Sequence, residues 1–209
     1  MIKHILTFSL AVWLCACAGG QLRQIPTEVR GHKKVDFFAA GHTQAGFRVV
    51  GKMNDMELEG LLIIKKIGAE DFDVSVVTGA AYRLMQATVT SQGIAYRYLF
   101  KDADTPLIRA RISQLLNVLL TDPGVYQRRQ VKKDQLSIYY KNAGATTRLS
   151  YRAEDIYPYA AQTSTLLNNA DLWYNQYAPA QAEGDLQLPH EMVYKDGKIE
   201  ISLMLVSLK

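Results

Sequence analysis

The chain is poor in cysteine. Cys15 and Cys17 are its only two, and both lie within the first 17 of 209 residues. The rest of the chain has no disulfide framework, so an apolar core must hold its fold. Histidine is scarce as well. Beyond His4 there are only His32, His42 and His190, which read as a tether residue, a turn residue and a surface residue. With no thiol left over as nucleophile or ligand, no metal site and no cofactor is expected. Catalytic signatures are missing: there is no G-x-S-x-G elbow, H-E-x-x-H, P-loop or G-x-G-x-x-G. Glu57, Glu59, Glu70, Asp71 and Asp73 cluster in sequence, but at strand ends they read most simply as solvating charges. An acid/base pair among them stays open. No run of 18 apolar residues follows the N-terminal stretch, so no transmembrane helix is expected there. Neither sign of charge dominates. The formal charge is +4, and it falls to +3 without Lys3, too little for a dedicated nucleic-acid binder.

The first 20 residues, MIKHILTFSLAVWLCACAGG, read as a bacterial lipoprotein signal peptide. Lys3 and His4 form a short basic start, and Ile5 to Leu14 is apolar but too short to span a bilayer. Leu14-Cys15-Ala16-Cys17 fits a lipobox, so residues 1–16 would be removed and Cys17 acylated. Alternatives are a plain secretory peptide cut at Ala16 or Ala18, or an N-terminal anchor helix. Each buried CH₂ contributes about 0.8 kcal/mol, so several acyl chains anchor a protein essentially permanently. By analogy with enterobacterial sorting, Ala18 rather than Asp after the cysteine favours the outer membrane, on its periplasmic side.

Removal of residues 1–16 leaves 193, enough for one domain with a real core. Residues 17–35 read as a flexible lipidated tether, polar with Gly and Pro, reaching roughly 20–25 Å as a random coil. Residues 36–209 form the domain. From Phe37 the apolar pattern has period two. Strands are expected over 47–53, 57–67, 72–76, 82–90 and 94–100, separated by turns at Asn54-Asp55-Met56, Gly68 to Asp71 and Ser91 to Gly93. The period then changes. Thr105 can cap a helix, Pro106 suits its first turn, and Ile108, Ile112, Leu115, Leu116 and Leu119 share one face. Asp122-Pro-Gly124 ends it. Strands resume over 136–140, 147–151, 173–177 and 188–194. Asp196-Gly197 then turns the chain into a last strand from Ile199 to Leu205. Tyr157-Pro-Tyr159 argues against a central strand within 153–169. Arg128, Arg129, Lys132 and Lys133 read as a solvated hairpin end.

The fold class is therefore α+β, mainly β. A strongly curved antiparallel sheet has its concave face covered by a central amphipathic helix, with further short helices allowed for. The order of elements resembles the LolA/LolB-like envelope proteins. The lipobox, the meander and the single central helix ending in Asp-Pro-Gly carry the likeness. So does the closing pattern Tyr177, Gly184, Leu188-Pro189, Tyr194, Asp196-Gly197, Ile199, Ile201 and Leu203. The resemblance implies a half-barrel that holds acyl chains between sheet and helix. It also implies an outer-membrane lipoprotein of the periplasmic face, partnered by the membrane through its anchor, by lipoprotein or other lipid acyl chains, and by a periplasmic carrier. LolB has a protruding loop with an apolar tip. The early turns here are short and polar, with Met56 as the one apolar candidate, so a divergent relative is expected.

On this reading the apolar cavity is lined by Leu62, Ile64, Val74, Val76, Tyr96, Tyr98, Ile138, Ile201 and Leu203 from the strands. Ile112, Leu115 and Leu119 face them from the helix. The same residues would equally pack as a closed core. The competing reading is a non-catalytic scaffold lipoprotein that binds another envelope protein. An envelope hydrolase is the weaker third.

Overall fold

A computed structural model describes residues 31–39, 41–53, 56–142, 144–165, 169–179, 187–197 and 199–209. The signal peptide, Cys17, most of the tether, Asn54-Asp55 and Gly184 lie outside the described residues. Five strands come first: β1 (Gln44–Met53), β2 (Met56–Lys66), β3 (Phe72–Val77), β4 (Arg83–Thr90) and β5 (Gly93–Leu99). Helix α1 (Pro106–Leu120) follows. Seven more strands follow among the described residues: β6 (Val125–Lys132), β7 (Gln135–Asn142), β8 (Ala145–Arg152), β9 (Ala160–Ser164), β10 (Asn169–Pro179), β11 (Gln187–Asp196) and β12 (Ile199–Leu208). All twelve belong to one antiparallel sheet, ordered β5-β4-β3-β2-β1-β12-β11-β10-β9-β8-β7-β6. The sheet is not closed into a barrel. Its edges are β5 and β6, neighbours in sequence joined by α1.

The sheet must curl strongly. Tyr96 of β5 donates its hydroxyl proton to the carbonyl of Arg109, and Gln114 donates to the carbonyl of Thr163 in β9. β5 and β9 are eight strand spacings apart, about 38 Å in a flat sheet. Residues 109 and 114 are separated by about 7.5 Å of helical rise. Both bonds exist only if the sheet folds around the helix.

Alternation sets the two faces. Phe47, Val49, Leu62, Ile64, Phe72, Val74, Met85, Ala87, Val89, Ile138, Leu149, Leu172, Met192 and Leu203 point inward and are buried. Val50, Trp173, Met204 and Val206 fall on the convex side, where Trp173, Met204 and Val206 are exposed. The helix begins as the sequence requires. Thr105 accepts a hydrogen bond from the Ile108 amide at 3.3 Å, and Pro106 occupies the first turn. Leu115, Leu116, Leu119 and Leu120 are its buried residues. Gly124 then turns the chain into β6 at φ +100°, a conformation that suits glycine.

Four expectations need correction. Tyr98 does not face inward. Ala87 pairs with Tyr96 and Gln86 with Tyr98, so Arg97 is an extra residue, a β-bulge that reverses the alternation. Tyr98 is 43 % exposed on the convex side. Second, β9 occupies 160–164 where no central strand was expected. Pro158 lies before the strand and costs the sheet no hydrogen bond. Third, the further short helices reduce, among the described residues, to one 3-10 turn at Lys101–Ala103 with no buried residue. Fourth, the tether does not run free to residue 35, because Val35 is 8 % exposed and the Lys33 amide donates to the Ile156 carbonyl at 2.9 Å. The first strand begins at Gln44, and Phe37 precedes it in a turn.

Candidate functional site

The concave interior has two unlike walls. The β1–β5 side is aliphatic and phenylalanine-rich: Phe47, Leu62, Ile64, Phe72, Val74 and Met85 are all buried. Four expected residues, Leu62, Ile64, Val74 and Val76, stand here in adjacent strands, paired Leu62 to Val76 and Ile64 to Val74. Val76, Tyr96, Ile112 and Ile201 are partly buried and pack on the core. Leu115 and Leu119 from α1, Ile138 from β7 and Leu203 from β12 are buried in the same cluster. Of the twelve expected residues, eleven therefore share one apolar body, and Tyr98 alone stands outside it.

The wall from β6 to β11 is lined with tyrosine, a distribution the sequence did not reveal. Tyr126, Tyr151, Tyr174 and Tyr194 are buried, and Tyr140 and Tyr177 are partly so. Tyr126 and Tyr140 meet edge to face at 6.5 Å, and Tyr157 stacks on Tyr177 at 5.7 Å. Tyr174 and Tyr177 both turn inward because Gln176 between them adopts a left-handed φ of 52°. Burial holds the Tyr174 phenol well above its ordinary ionisation range. The Tyr151 and Tyr177 phenols are raised by burial first and then by neighbouring tyrosines. Tyr140 is raised by burial and by the charge of Asp122. These groups stay neutral, so the wall offers hydroxyls without charge.

Two segments outside the sheet cover the ends of the concavity. α1 leaves the end of β5 and enters the start of β6, so it crosses one rim. Three side chains fasten it there. The Tyr96 hydroxyl lies 2.9 Å from the Arg109 carbonyl and 2.9 Å from Ser113 Oγ. Its pKa is raised by burial, against the lowering pull of Ser113 and Arg109. Arg111 donates to the Asp196 carbonyl at 2.7 Å, and its Nη1 stands 3.4 Å from Asp196 Oδ1, an ion pair whose carboxylate is 1 % exposed. The Tyr194 hydroxyl reaches the Arg111 carbonyl and Asp196 Oδ2 at 3.3 and 3.4 Å. Burial, then the Asp196 charge, raises the Tyr194 phenol. The sequence shows Arg111 only as a residue off the apolar face. Its partner lies 85 residues away at the Asp196-Gly197 hairpin, beyond the reach of local pattern.

The opposite rim is crossed by a strap, residues 32–38. Phe37 packs edge to face on Phe47 of β1 at 5.1 Å, and Phe38 packs on Phe72 of β3 at 5.2 Å. At its other end the Lys33 carbonyl accepts from the Tyr151 hydroxyl at 3.3 Å, and the His32 ring lies 4.9 Å from that of Tyr151. Tyr151 and Phe72 belong to strands seven spacings apart, about 34 Å in a flat sheet. Five residues of extended chain span about 18 Å at most. The strap is therefore a second chord across the curl.

The other candidate groups scatter. Glu59 pairs with Arg48 at 2.6 Å and Asp73 with Arg97, both on the convex face. Among the described residues no group of three or more His, Cys, Asp or Glu side chains could hold a metal ion. Arg128 and Arg129 lie within β6, and the Arg128 guanidinium stacks over Tyr139 at 4.5 Å. A depression of about 260 Å³ lies on the convex face, lined by Arg48, Val50, Glu191, Ser202 and Met204. None of the twelve expected residues lines it.

Comparison with known proteins adds the fold. No family model matches the chain, and no curated sequence matches it. Among solved structures, a LolA superfamily protein from Nitrosomonas europaea superposes with a TM-score of 0.58 at 12 % identity, covering 80 % of this chain and 85 % of that one. A putative outer membrane lipoprotein-sorting protein domain from Vibrio parahaemolyticus gives 0.49 at 8 % identity, over 81 % of this chain and 85 % of its own. At 12 % identity the first likeness speaks for the architecture. The chain has a LolA-like fold, as the order of its elements led one to expect.

Proposed function

We propose, starting from that shared architecture, that this chain is a lipid-anchored protein of the bacterial envelope. It takes the acyl chains of lipoproteins, or of another lipid-linked molecule, against the concave face of its half-barrel and so aids their localisation or transport. It performs no catalysis. The observation that carries the reading is the apolar concave face, over whose two ends α1 and the strap lie without being part of the sheet. Such a surface can change its cover without breaking a strand pairing. Holding an acyl chain needs apolar area and an opening rather than precise polar groups. Acylated Cys17 would keep the domain on the periplasmic side of the outer membrane, within reach of a carrier that delivers cargo.

The test is native mass spectrometry with lipid extraction, on chain lacking residues 1–17 and purified from cells. A co-purifying acyl chain, lost on Leu115→Trp, supports the reading. Leu115 is 5 % exposed among the core leucines of the helix, so indole bulk there fills space an acyl chain would use. A clean apo mass with no uptake of added fatty acid or lipopeptide sinks it. The exposed Trp173, Met204 and Val206 and the convex depression then favour a scaffold lipoprotein that binds another envelope protein.

A further inference from the structure

We infer that the convex face of β6–β10 docks on the anionic headgroups of the bilayer that holds the protein's anchor. The inference rests on the lipid-anchored reading above. It adds which side of the domain meets the membrane, and by what chemistry. Cross-strand partners share a face. Arg128 of β6 stands opposite Tyr139 of β7, and Tyr139 opposite Arg148 of β8. In a second row Lys132 stands opposite Gln135, and Gln135 opposite Arg152. Leu136 and Ile138 of β7 are buried inward, so the alternate residues Gln135, Tyr139 and Lys141 carry their rows on the convex side. Strands β6, β7, β8 and β9 contain no Asp or Glu at all. Asp134, Glu154 and Asp155 stand in the loops that join them, and Asp171 of β10 accepts from Gln162 at 2.8 Å. Elsewhere on the convex side cations are neutralised: Arg48 pairs with Glu59, Arg97 with Asp73 and Lys195 with Glu200. Arg128, Lys132, Lys141, Arg148 and Arg152 make no ion pair with any described residue.

Aromatic rings sit among these charges. The Arg128 guanidinium covers Tyr139, and the Arg152 guanidinium lies 6.0 Å from the centre of the Tyr159 ring. Tyr159 stacks at 6.3 Å on Trp173, which is 41 % exposed. Cations that reach phosphates, beside tryptophan and tyrosine at headgroup depth, suit a protein resting on an anionic bilayer. The entry of the chain favours a bilayer over an acidic protein. The described residues begin at Gly31. The His32 ring bonds to the Asp155 carbonyl at 3.1 Å and the Lys33 amide to the Ile156 carbonyl at 2.9 Å, in the loop that follows Arg152. Cys17 stands fourteen residues before Gly31, so the two are about 50 Å apart at most. An acyl anchor on Cys17 therefore holds this end of the face to the membrane.

Trp173 reports on the face directly, because it is the only tryptophan once residues 1–16 are removed. Chain lacking residues 1–16 and carrying Cys17→Ser has no acyl anchor. It is mixed with vesicles of phosphatidylcholine, or of phosphatidylcholine with anionic phosphatidylglycerol, and binding is read by sedimentation. The two vesicles have the same acyl chains, so uptake of a chain by the concave face contributes equally to both. The expected result is binding to the anionic vesicles alone, with blue-shifted Trp173 emission, quenching by brominated lipid and release by salt. Lys132→Gln/Arg152→Gln should weaken that binding about tenfold or more. Lys65→Gln/Lys101→Gln removes the same charge from β2 and from the 3-10 turn after β5, and should leave binding nearly unchanged. No binding to the anionic vesicles, equal weakening by the two pairs, or binding with unshifted Trp173 emission overturns the face. So does binding to polyglutamate with none to the vesicles, which assigns the cations to an acidic protein. Those outcomes leave the anchor reading standing. The anchor is read separately, by the mass of the full chain expressed in bacteria: an unacylated Cys17 overturns the anchored reading and this inference with it.

Discussion

Arg111 and Asp196 join the helix to the last hairpin through a carboxylate with almost no contact with water. Removing the cation takes one charged partner from that carboxylate, which the Tyr194 hydroxyl still reaches. Arg111→Met should therefore destabilise the protein by about 1–3 kcal/mol, whereas Arg111→Met/Asp196→Leu should recover most of the loss. Urea unfolding of the three proteins checks this, and equal losses in the single and double variants would count against the pair. The tyrosines make a second prediction at this scale. The phenols of Tyr151, Tyr174, Tyr177 and Tyr194 ionise far more readily in the unfolded chain than in the folded one. The folded state therefore holds more protons above pH about 10, so the stability these groups confer is full below that pH and is lost as pH rises beyond it. Phenolate absorbance should rise in two stages on alkaline titration. The buried four should ionise in the later stage, together with loss of the circular dichroism signal. A single smooth titration ahead of unfolding would show the wall to be wet.

At the scale of elements, the helix and the strap differ in how they are held. The helix inserts Leu116, 1 % exposed, among other core leucines, and Leu116→Ala should cost about 2–5 kcal/mol in global stability. Its rim end depends on Tyr96. Tyr96→Phe should speed hydrogen exchange over residues 106–114 more than in the sheet, because it removes one tie to β5 and leaves the core leucines in place. Among the described residues the strap pairs with no strand and is held by inserted side chains, by the Lys33–Ile156 backbone bond and by the Tyr151 hydroxyl. Phe37→Ala/Phe38→Ala should admit protease cleavage over residues 32–39 while the sheet stays folded, as read by mass spectrometry of the nicked chain. What the sequence disclosed follows the same division. The helix was legible because Thr105, Pro106 and five spaced apolar residues all carry one period. The strap was not, because Val35, Phe37 and Phe38 follow a basic polar stretch and are too few to set a period. Tyr98 was misread because a bulge leaves no mark in alternating sequence. β9 was missed because Ala160-Ala161-Gln162-Thr163 has little of the β-branched and aromatic character that marks a strand.

At the scale of the whole molecule, ten of the strand pairings among the described residues join neighbours in sequence, and there only β1 with β12 joins distant parts of the chain. That pairing is long, running from Ala45 opposite Leu208 to Met53 opposite Ile199. The chain is thus two local meanders, β1–β5 and β6–β12, stitched together along one seam. Each meander can assemble from contacts close in sequence, at low loop-closure cost, whereas the seam must bring together residues some 150 positions apart. The strand that completes it is made after the eleven others. Until β12 has emerged, β1 keeps an open edge and the two apolar faces are not yet turned toward each other. Over that interval the molecule exposes the kind of surface it is proposed to shield in others.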